Sequence, residues 1–283
     1  MLNIDQIESL GIAALQKTLK VHEALGDLGE QKVRKNQFGE TALKIDLECE
    51  KAIIDFFQQE NFPVRIISEE HGIVEITKEP RYLAVLDGLD GTKEYQLNRG
   101  KGRYGTMLGI FSNLDPIYDD YLFGGIMEHP KKRLVFVSKS NGSFVLSNGK
   151  KKKISCSKTN TLTKKTKIYA DLEYDKNRGI TFIEDNFISK LKDNEILYQC
   201  STAVHYVDLV LGKVDAILEC TRKKNLEMAA AYGIVREAGG VMMISSGINF
   251  GNQKYLKLGQ KKHLPMVATC THKLAQEIIK KLN

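Results

Sequence analysis

Tyr82-Leu83-Ala84-Val85-Leu86-Asp87-Gly88-Leu89-Asp90-Gly91-Thr92 is the stretch on which the reading of this chain turns. Its apolar half, Tyr82–Leu86, is short and meets a glycine-containing segment, which predicts a buried strand. Two aspartates three residues apart follow at once, with Gly91-Thr92 behind them. Hard cations such as Mg²⁺ bind through oxygen, and a Gly-Thr turn leaves backbone N–H groups to meet an anion. The plainer reading is a solvated Asp-Gly turn.

Outward from this stretch, other apolar runs end in acids in the same way. Val64–Ile67 reads as a strand and stops at Glu69 and Glu70. Ahead of it, Ile45, Cys49, Ile53, Phe56 and Phe57 mark the inner face of a helix that begins near Asp46 and is ended by Asn61-Phe62-Pro63. An earlier helix is expected from Ile4 to about Leu25, on the stripe Ile4, Ile7, Ile12, Leu15 and Leu19. Strands are expected at Thr106–Phe111, Leu122–Met127, Leu134–Val137 and Ser143–Leu146, with antiparallel-type turns between them. The Ser/Thr/Lys-rich stretch Ser155–Lys165 has no apolar period and divides the chain into an N-terminal α/β half, 1–155, and a C-terminal α/β half, 156–283. The second half alternates: strands at Lys167–Ala170 and Val214–Glu219, and helices at Asp185–Lys192, Thr202–Leu211, Leu226–Ala238 and Leu274–Leu282. Gly239-Gly240 closes the third of these helices.

Composition sets the outer bounds. The 283 residues are 42% apolar, enough for a substantial core, and no run approaches the roughly 18 apolar residues of a membrane span. The first residues lack the pattern of a signal peptide. Five scattered cysteines without a C-x-x-C pair argue against zinc and a disulfide framework, so a reducing cytoplasm is expected. The net charge of +7 suits an anionic partner, and a small phosphate fits better than nucleic acid. Lys150–Lys153 has no interleaved aromatics on which bases could stack and reads as a solvated hairpin end. Neither nucleic acid nor membrane is an expected partner. Gly100-Lys101-Gly102-Arg103-Tyr104-Gly105 matches G-x-G-x-x-G but does not lie between a strand and an apolar helix, which argues against a dinucleotide site.

Asp46, Glu69, Glu70, Asp87, Asp90 and Glu227 all stand at strand ends or helix starts. Singly, each reads as a surface acid or a partner for a helix dipole. Together with the Leu89 carbonyl they could hold two or three Mg²⁺ ions, an arrangement suited to phosphoryl chemistry.

These residues resemble the inositol monophosphatase family of Mg²⁺-dependent, lithium-sensitive phosphomonoesterases. The D-P-x-D-G-T signature corresponds to Asp87–Thr92, and E-E-x-G to Glu69-Glu70-His71-Gly72. The element before the second helix is Thr41–Asp46, and W-D-x-A-A…E-A-G-G corresponds to Leu226–Ala230 with Glu237–Gly240. Gly124–Pro130 and Asn148-Gly149-Lys150 match the weaker middle elements, so the resemblance spans about residues 40 to 270. It implies an α/β (α+β) fold, a layered αβαβα sandwich with a largely antiparallel first half, and a homodimer. It also implies site roles. Glu69, Asp87 and the Leu89 carbonyl would hold the activating metal. Asp87, Asp90 and Glu227 would hold the second, and Glu69 a weaker third. Asp46 and Thr92 would orient and deprotonate the attacking water, with Glu70 beside them among the catalytic residues. The Gly91 and Thr92 amides would bind phosphate.

The chain departs from the pattern at one ligand position and two neighbours. Gly88 replaces the motif proline, which removes a φ lock and is expected to loosen the loop. Glu227 replaces an aspartate, and the motif tryptophan is absent from a chain with no Trp. The expected substrate is a small polyol or sugar phosphate, inositol monophosphate or fructose 1,6-bisphosphate, as in the archaeal members that Gly212–Lys224 resembles. There Glu219, Arg222 and Lys223 would meet the substrate. Thr92-Lys93-Glu94-Tyr95 instead resembles the bisphosphate nucleotidase branch, which acts on phosphoadenosine phosphate. A pseudophosphatase serving as a binding subunit is the reading from another class.

Overall fold

A computed structural model describes residues 2–170, 189–191, 193–197, 201–221, 223–260 and 264–283. The first half runs α1 (Ile4–Leu25), β1 (Lys32–Lys35), β2 (Thr41–Leu43), α2 (Lys44–Gln59), β3 (Val64–Ser68), β4 (Gly72–Glu75), β5 (Tyr82–Asp90), α3 (Thr92–Asn98), β6 (Gly105–Phe111), β7 (Tyr121–Glu128), β8 (Arg133–Ser138), β9 (Gly142–Ser147) and β10 (Lys150–Lys153). The second runs β11 (Lys167–Ala170), β12 (Glu195–Leu197), α4 (Thr202–Val210), β13 (Ala216–Cys220), α5 (Leu226–Glu237), β14 (Val241–Ile244), β15 (Pro265–Thr269) and α6 (His272–Leu282).

β1 and β2 form a small hairpin. The main sheet has the order β10-β9-β8-β7-β6-β5-β3-β4, antiparallel except where β3 runs parallel to β5. A five-stranded mixed sheet has the order β12-β11-β13-β15-β14. Helices α1 and α2 cover one face of the main sheet, α4 and α5 lie between the two sheets, and α6 packs on β14 and β15. This is the layered αβαβα sandwich. Among the described residues no helix is long and apolar enough to cross a membrane.

The unbroken apolar run of β5 follows from burial on both faces. Leu83 and Val85 join the core between the sheets, while Tyr82, Ala84 and Leu86 join the core under α1 and α2. The Lys150–Lys153 run is more than a hairpin end. It is the edge strand β10, paired with β9, and all four lysines are exposed. Charge on that edge discourages pairing with another chain. Of the expected helix Asp185–Lys192, only the 3₁₀ turn Ser189–Leu191 falls among the described residues.

Two glycines determine how closely α5 approaches the main sheet. A Cβ at Gly109 would lie 3.0 Å from the Ala230 Cα, and one at Gly124 would lie 2.4 Å from the Ala230 carbonyl oxygen. Gly124→Ala should therefore push α5, and Glu227 at its start, away from the sheet. We expect a loss of about 1–3 kcal/mol in urea unfolding, the usual cost of overpacking, together with weaker divalent-metal binding. A variant as stable as the wild type would show that the helix is not seated by this contact.

Candidate active site

The site lies where β3 and β5 end. Side chains on a strand alternate between faces, so aspartates three apart in a regular strand would point to opposite sides. Here the register against β6 shifts between Asp87, opposite Met107, and Asp90, opposite Gly105. Three steps on β5 match two on β6, so β5 carries one extra residue as a bulge. Asp90 is thereby returned to the side of Asp87, which faces α5. Carboxylate oxygens of Asp87, Asp90 and Glu227 lie within 4.8 Å of one another.

Each acid is held by donors close by in the chain or across the sheet. Leu89 N–H donates to Asp87 Oδ1 at 2.9 Å. Asp90 Oδ2 accepts from the Ser201 hydroxyl at 2.5 Å and from the Ala203 N–H at 2.7 Å, both at the start of α4. Asp46, the third residue of α2, accepts the Leu43 N–H on Oδ2 at 2.7 Å, closing the helix start as a capping acid does. Its Oδ1 accepts from the Thr92 hydroxyl at 3.2 Å, and the same hydroxyl lies 3.0 Å from the Leu89 carbonyl. Gly91 has φ +90°, a left-handed turn that ends β5 and opens α3. Glu69 lies one rung from Asp87, its N–H bonded to the Leu86 carbonyl at 3.1 Å.

The β1–β2 hairpin reaches over this end of the sheet. Asn36 Nδ2 donates to Glu69 Oε1 at 3.3 Å and to Glu70 Oε1 at 3.0 Å. Gln37 donates to the Ser68 carbonyl at 2.6 Å and accepts from Lys224 Nζ at 2.5 Å. Glu219, on β13, is buried and accepts the Tyr206 hydroxyl. Arg222 lies outside the described residues, and Lys223 begins the 3₁₀ turn Lys223–Asn225 that leads into α5.

Gly88, expected from the sequence to loosen the loop, is in the structure a point of close backbone approach. A Cβ at Gly88 would lie 2.3 Å from the Asp46 carbonyl oxygen and 2.8 Å from Glu50 Cγ. The space that a proline ring would need is filled by α2, so the glycine marks a close approach.

Glu50 was not among the residues singled out from the sequence. It is fully buried and accepts from Glu69 N–H (3.0 Å), Glu70 N–H (3.1 Å), His71 N–H (3.2 Å), His71 Nδ1 (2.8 Å) and the Ser68 hydroxyl. It thus shapes the turn that presents Glu69 and Glu70. A signal existed: Glu50 follows Asp46 by four residues and precedes Ile53 by three, which puts an acid on the buried face. Asn36, Gln37 and Ser201 lie in segments with no such pattern, whereas Lys224 belongs to the basic run Arg222-Lys223-Lys224.

Crowding affects proton affinity. Burial, and then the charges of Glu70 and Glu69, raise the Asp46 carboxyl well above its ordinary range. Burial raises Glu70 to about 7, helped by Glu69 and Glu50 and opposed by Asn36.

The inositol monophosphatase family's sequence model matches residues 5–282. The bifunctional NADP phosphatase/NAD kinase of Methanococcus maripaludis is 27% identical over 222 residues, 74% of this chain. That match spans only 38% of the relative's length. The fructose-1,6-bisphosphatase/inositol-1-monophosphatase of Methanothermobacter thermautotrophicus is 27% identical over 211 residues, 72% of this chain and 71% of the relative. Among solved structures, the extragenic suppressor protein suhB from Bartonella henselae superimposes with a TM-score of 0.78 at 18% identity, covering 98% of each chain.

Two outcomes follow from this geometry. Glu50→Gln turns an acceptor surrounded by N–H groups into a group that carries donors, so unfolding should become easier by about 1–3 kcal/mol and metal affinity should fall. Equal melting curves for variant and wild type would contradict it. For the metal-free protein, carboxyls raised in the folded state contribute stability below their unfolded pKa and lose it as pH rises through the folded value. Its thermal midpoint should therefore fall between about pH 5 and pH 7.5, and Mg²⁺ should restore more of it at pH 7.5 than at pH 5. A midpoint that rises over this range without metal would contradict the assignment.

Proposed function

From the premise that the chain belongs to the inositol monophosphatase family and is a phosphoric monoester hydrolase, we propose that it hydrolyses a small polyol or sugar phosphate with Mg²⁺ at the Asp87–Glu227 site. The convergence of Asp87, Asp90 and Glu227 supports this reading most directly. The donor set consists of carboxylate oxygens with the Leu89 carbonyl beside them, and it fits a hard, oxygen-seeking cation. Glu69, Asp87 and the Leu89 carbonyl would hold one ion, and Asp87, Asp90 and Glu227 a second. Glu69 would contribute to a weaker third. Mg²⁺ bound there would acidify a water and neutralise charge on the phosphate and the leaving oxygen.

The chain's own groups do the rest. The Thr92 hydroxyl has one proton and two acceptors in reach, Asp46 Oδ1 and the Leu89 carbonyl. When it donates to Leu89, its oxygen and the Asp46 carboxylate both face outward as acceptors. Water held between them is oriented towards phosphorus and loses its proton to Asp46. Glu70 sits beside this pair as a reserve acceptor whose affinity for protons lies near neutrality. The Gly91 and Thr92 amides bind phosphate oxygens at the left-handed turn. Glu227 is one methylene longer than the aspartate of the pattern, and its place on the tightly seated α5 keeps its carboxylate in reach of Asp87 and Asp90.

Among the described residues, Lys224 is a basic residue that reaches the hairpin over the site. Its Nζ meets Gln37 at the hairpin tip and lies 5.9 Å from the centre of the Phe38 ring, and burial lowers its pKa. This favours substrates that carry a second anionic group, fructose 1,6-bisphosphate first and phosphoadenosine phosphate or NADP next. Phosphate release should require Mg²⁺ and should fall by about 10³-fold or more in Asp90→Asn, as when a transition-state electrostatic contact is removed. Lys224→Ala should raise KM for the substrates that carry a second anionic group and leave inositol 1-phosphate unaffected. Absence of Mg²⁺-dependent release from every member of that panel would refute the enzyme reading and favour a binding subunit.

A further inference from the structure

Behind the metal loop, and outside the catalytic constellation, lies a buried polar chain that the proposed reaction does not use. The Thr106 hydroxyl on β6 is 2.7 Å from the Gly88 carbonyl and 3.0 Å from His129 Nε2. Both Thr106 and His129 are buried, with no more than 1% of their surface exposed. The His129 ring stacks on His22 at 4.8 Å and 7°. His22 Nε2 in turn lies 3.0 Å from the Tyr104 hydroxyl, which accepts the Gly100 N–H at 2.9 Å.

The direction of this chain follows from counting protons. A carbonyl oxygen only accepts, so Thr106 spends its single hydroxyl proton on Gly88. Its contact with His129 must then be one in which Nε2 donates. Nε2 therefore carries a proton, and in the neutral ring Nδ1 holds a bare lone pair. Burial, and then the neighbouring His22, lower the His129 pKa well below its ordinary value, which favours the same neutral form. Among the described residues His129 Nδ1 has no hydrogen-bond partner, as a nitrogen with no proton to place allows.

Gly88 is one of the residues between Asp87 and Asp90 where the β5 register shifts, and a bulge takes its backbone partly out of the ladder. Its carbonyl needs a partner from elsewhere, and Thr106 provides it. We propose that Thr106 and His129 are positioning residues for the metal loop. The imidazole donates to the hydroxyl, the hydroxyl donates to the Gly88 carbonyl, and the bulge that brings Asp87, the Leu89 carbonyl and Asp90 to one side is held from behind. The pair does for this glycine loop what a fixed φ does for a proline. The Asp46 carbonyl closes the other side, 2.3 Å from where a Gly88 Cβ would sit. This inference rests on reading Asp87, Leu89 and Asp90 as metal-holding groups.

Mg²⁺ titration calorimetry on the full chain tests it, with variants first shown to be folded by a cooperative thermal transition. Thr106→Val and His129→Leu keep shape and lose the donor, and they should weaken Mg²⁺ by about 10- to 100-fold, the usual effect of removing a group that supports a metal ligand. Thr106→Ser and His129→Gln keep a donor and should titrate close to the wild type. A folded Thr106→Val that binds Mg²⁺ as the wild type does would overturn the inference while leaving the metal site standing. A wild type that binds no Mg²⁺ would overturn both. Ring ¹⁵N shifts of the unmodified protein give a second measurement that needs no variant. His129 should show the neutral Nε2–H tautomer at pH 7, and an Nδ1–H tautomer or an imidazolium would overturn the proposed relay.

Discussion

The constraint on which the rest of this structure depends is the repulsion among carboxylates buried at one end of one sheet. Asp46, Glu50, Glu69, Glu70, Asp87 and Glu227 are each no more than 9% exposed. Two unit charges about 5 Å apart at an effective dielectric constant of about 20 repel by roughly 3 kcal/mol, comparable to a sizeable share of a domain's net stability. The protein meets this with N–H and O–H groups brought by the fold: Leu43 for Asp46, Leu89 for Asp87, Ser201 and Ala203 for Asp90, Asn36 for Glu69 and Glu70. Glu50 is the most heavily supplied and does not face the cluster as a ligand. Its charge is spent on orienting the turn that carries two other acids. What the donors do not offset shows as raised proton affinity at Asp46 and Glu70, and a divalent cation would relieve that remainder.

Gly88 shows how a sequence departure can mislead when read alone. Without its proline, the loop looks under-restrained. In the fold the missing ring is the condition for α2 to approach, because the Asp46 carbonyl occupies the position that a side chain would take. The restraint has moved from a covalent ring to packing on one side and a hydrogen bond from Thr106 on the other. Restraints of that kind depend on neighbours distant in the chain, so no local motif reports them.

The same distinction separates what was legible from what was not. The α1 and α2 stripes were readable because each has a clear period, and the β5 run because it is short, wholly apolar and bounded by glycine. The acids at strand ends were readable because chemistry restricts which residues can sit there. β1, β2, β4, β12, β14 and β15 escaped the sequence reading, since strands of three to five residues offer at most two or three alternations. α3 escaped for a similar reason: seven residues, Thr92–Asn98, bury only Tyr95. The bulge between Asp87 and Asp90 was also out of reach. Spacing alone would have placed the two aspartates on opposite faces, and only the register against β6 shows why they meet. Asn36 and Gln37 follow directly on β1, whose four residues are all exposed, where composition carries no trace of what lies opposite.

The cluster also draws on both sheets, which ties its assembly to the docking of the whole chain. Asp87 and Asp90 belong to the main sheet, Glu227 comes from α5 between the sheets, and the donors on Asp90 come from the start of α4. Arg103, in the loop before β6, makes a bidentate pair with Asp208 of α4 at 2.6 and 2.9 Å and also holds Glu128 of β7 at 2.7 Å. Asp208 is further bound by Lys213 and by Tyr169 of β11, so one partly buried ionic junction spans both sheets and the helix between them. Removing either partner of such a junction leaves a buried charge uncompensated. α5 is seated separately, by close backbone approach at Gly109 and Gly124 and, at its far end, by Arg236 on Asp119 and Glu237 on Tyr121. The position of Asp90 relative to Glu227 is therefore set twice, once by ionic bridging through α4 and once by close packing through α5. A cation bound between them would connect elements that are already docked, which is why its binding energy should count towards the stability of the whole fold and not of a single loop.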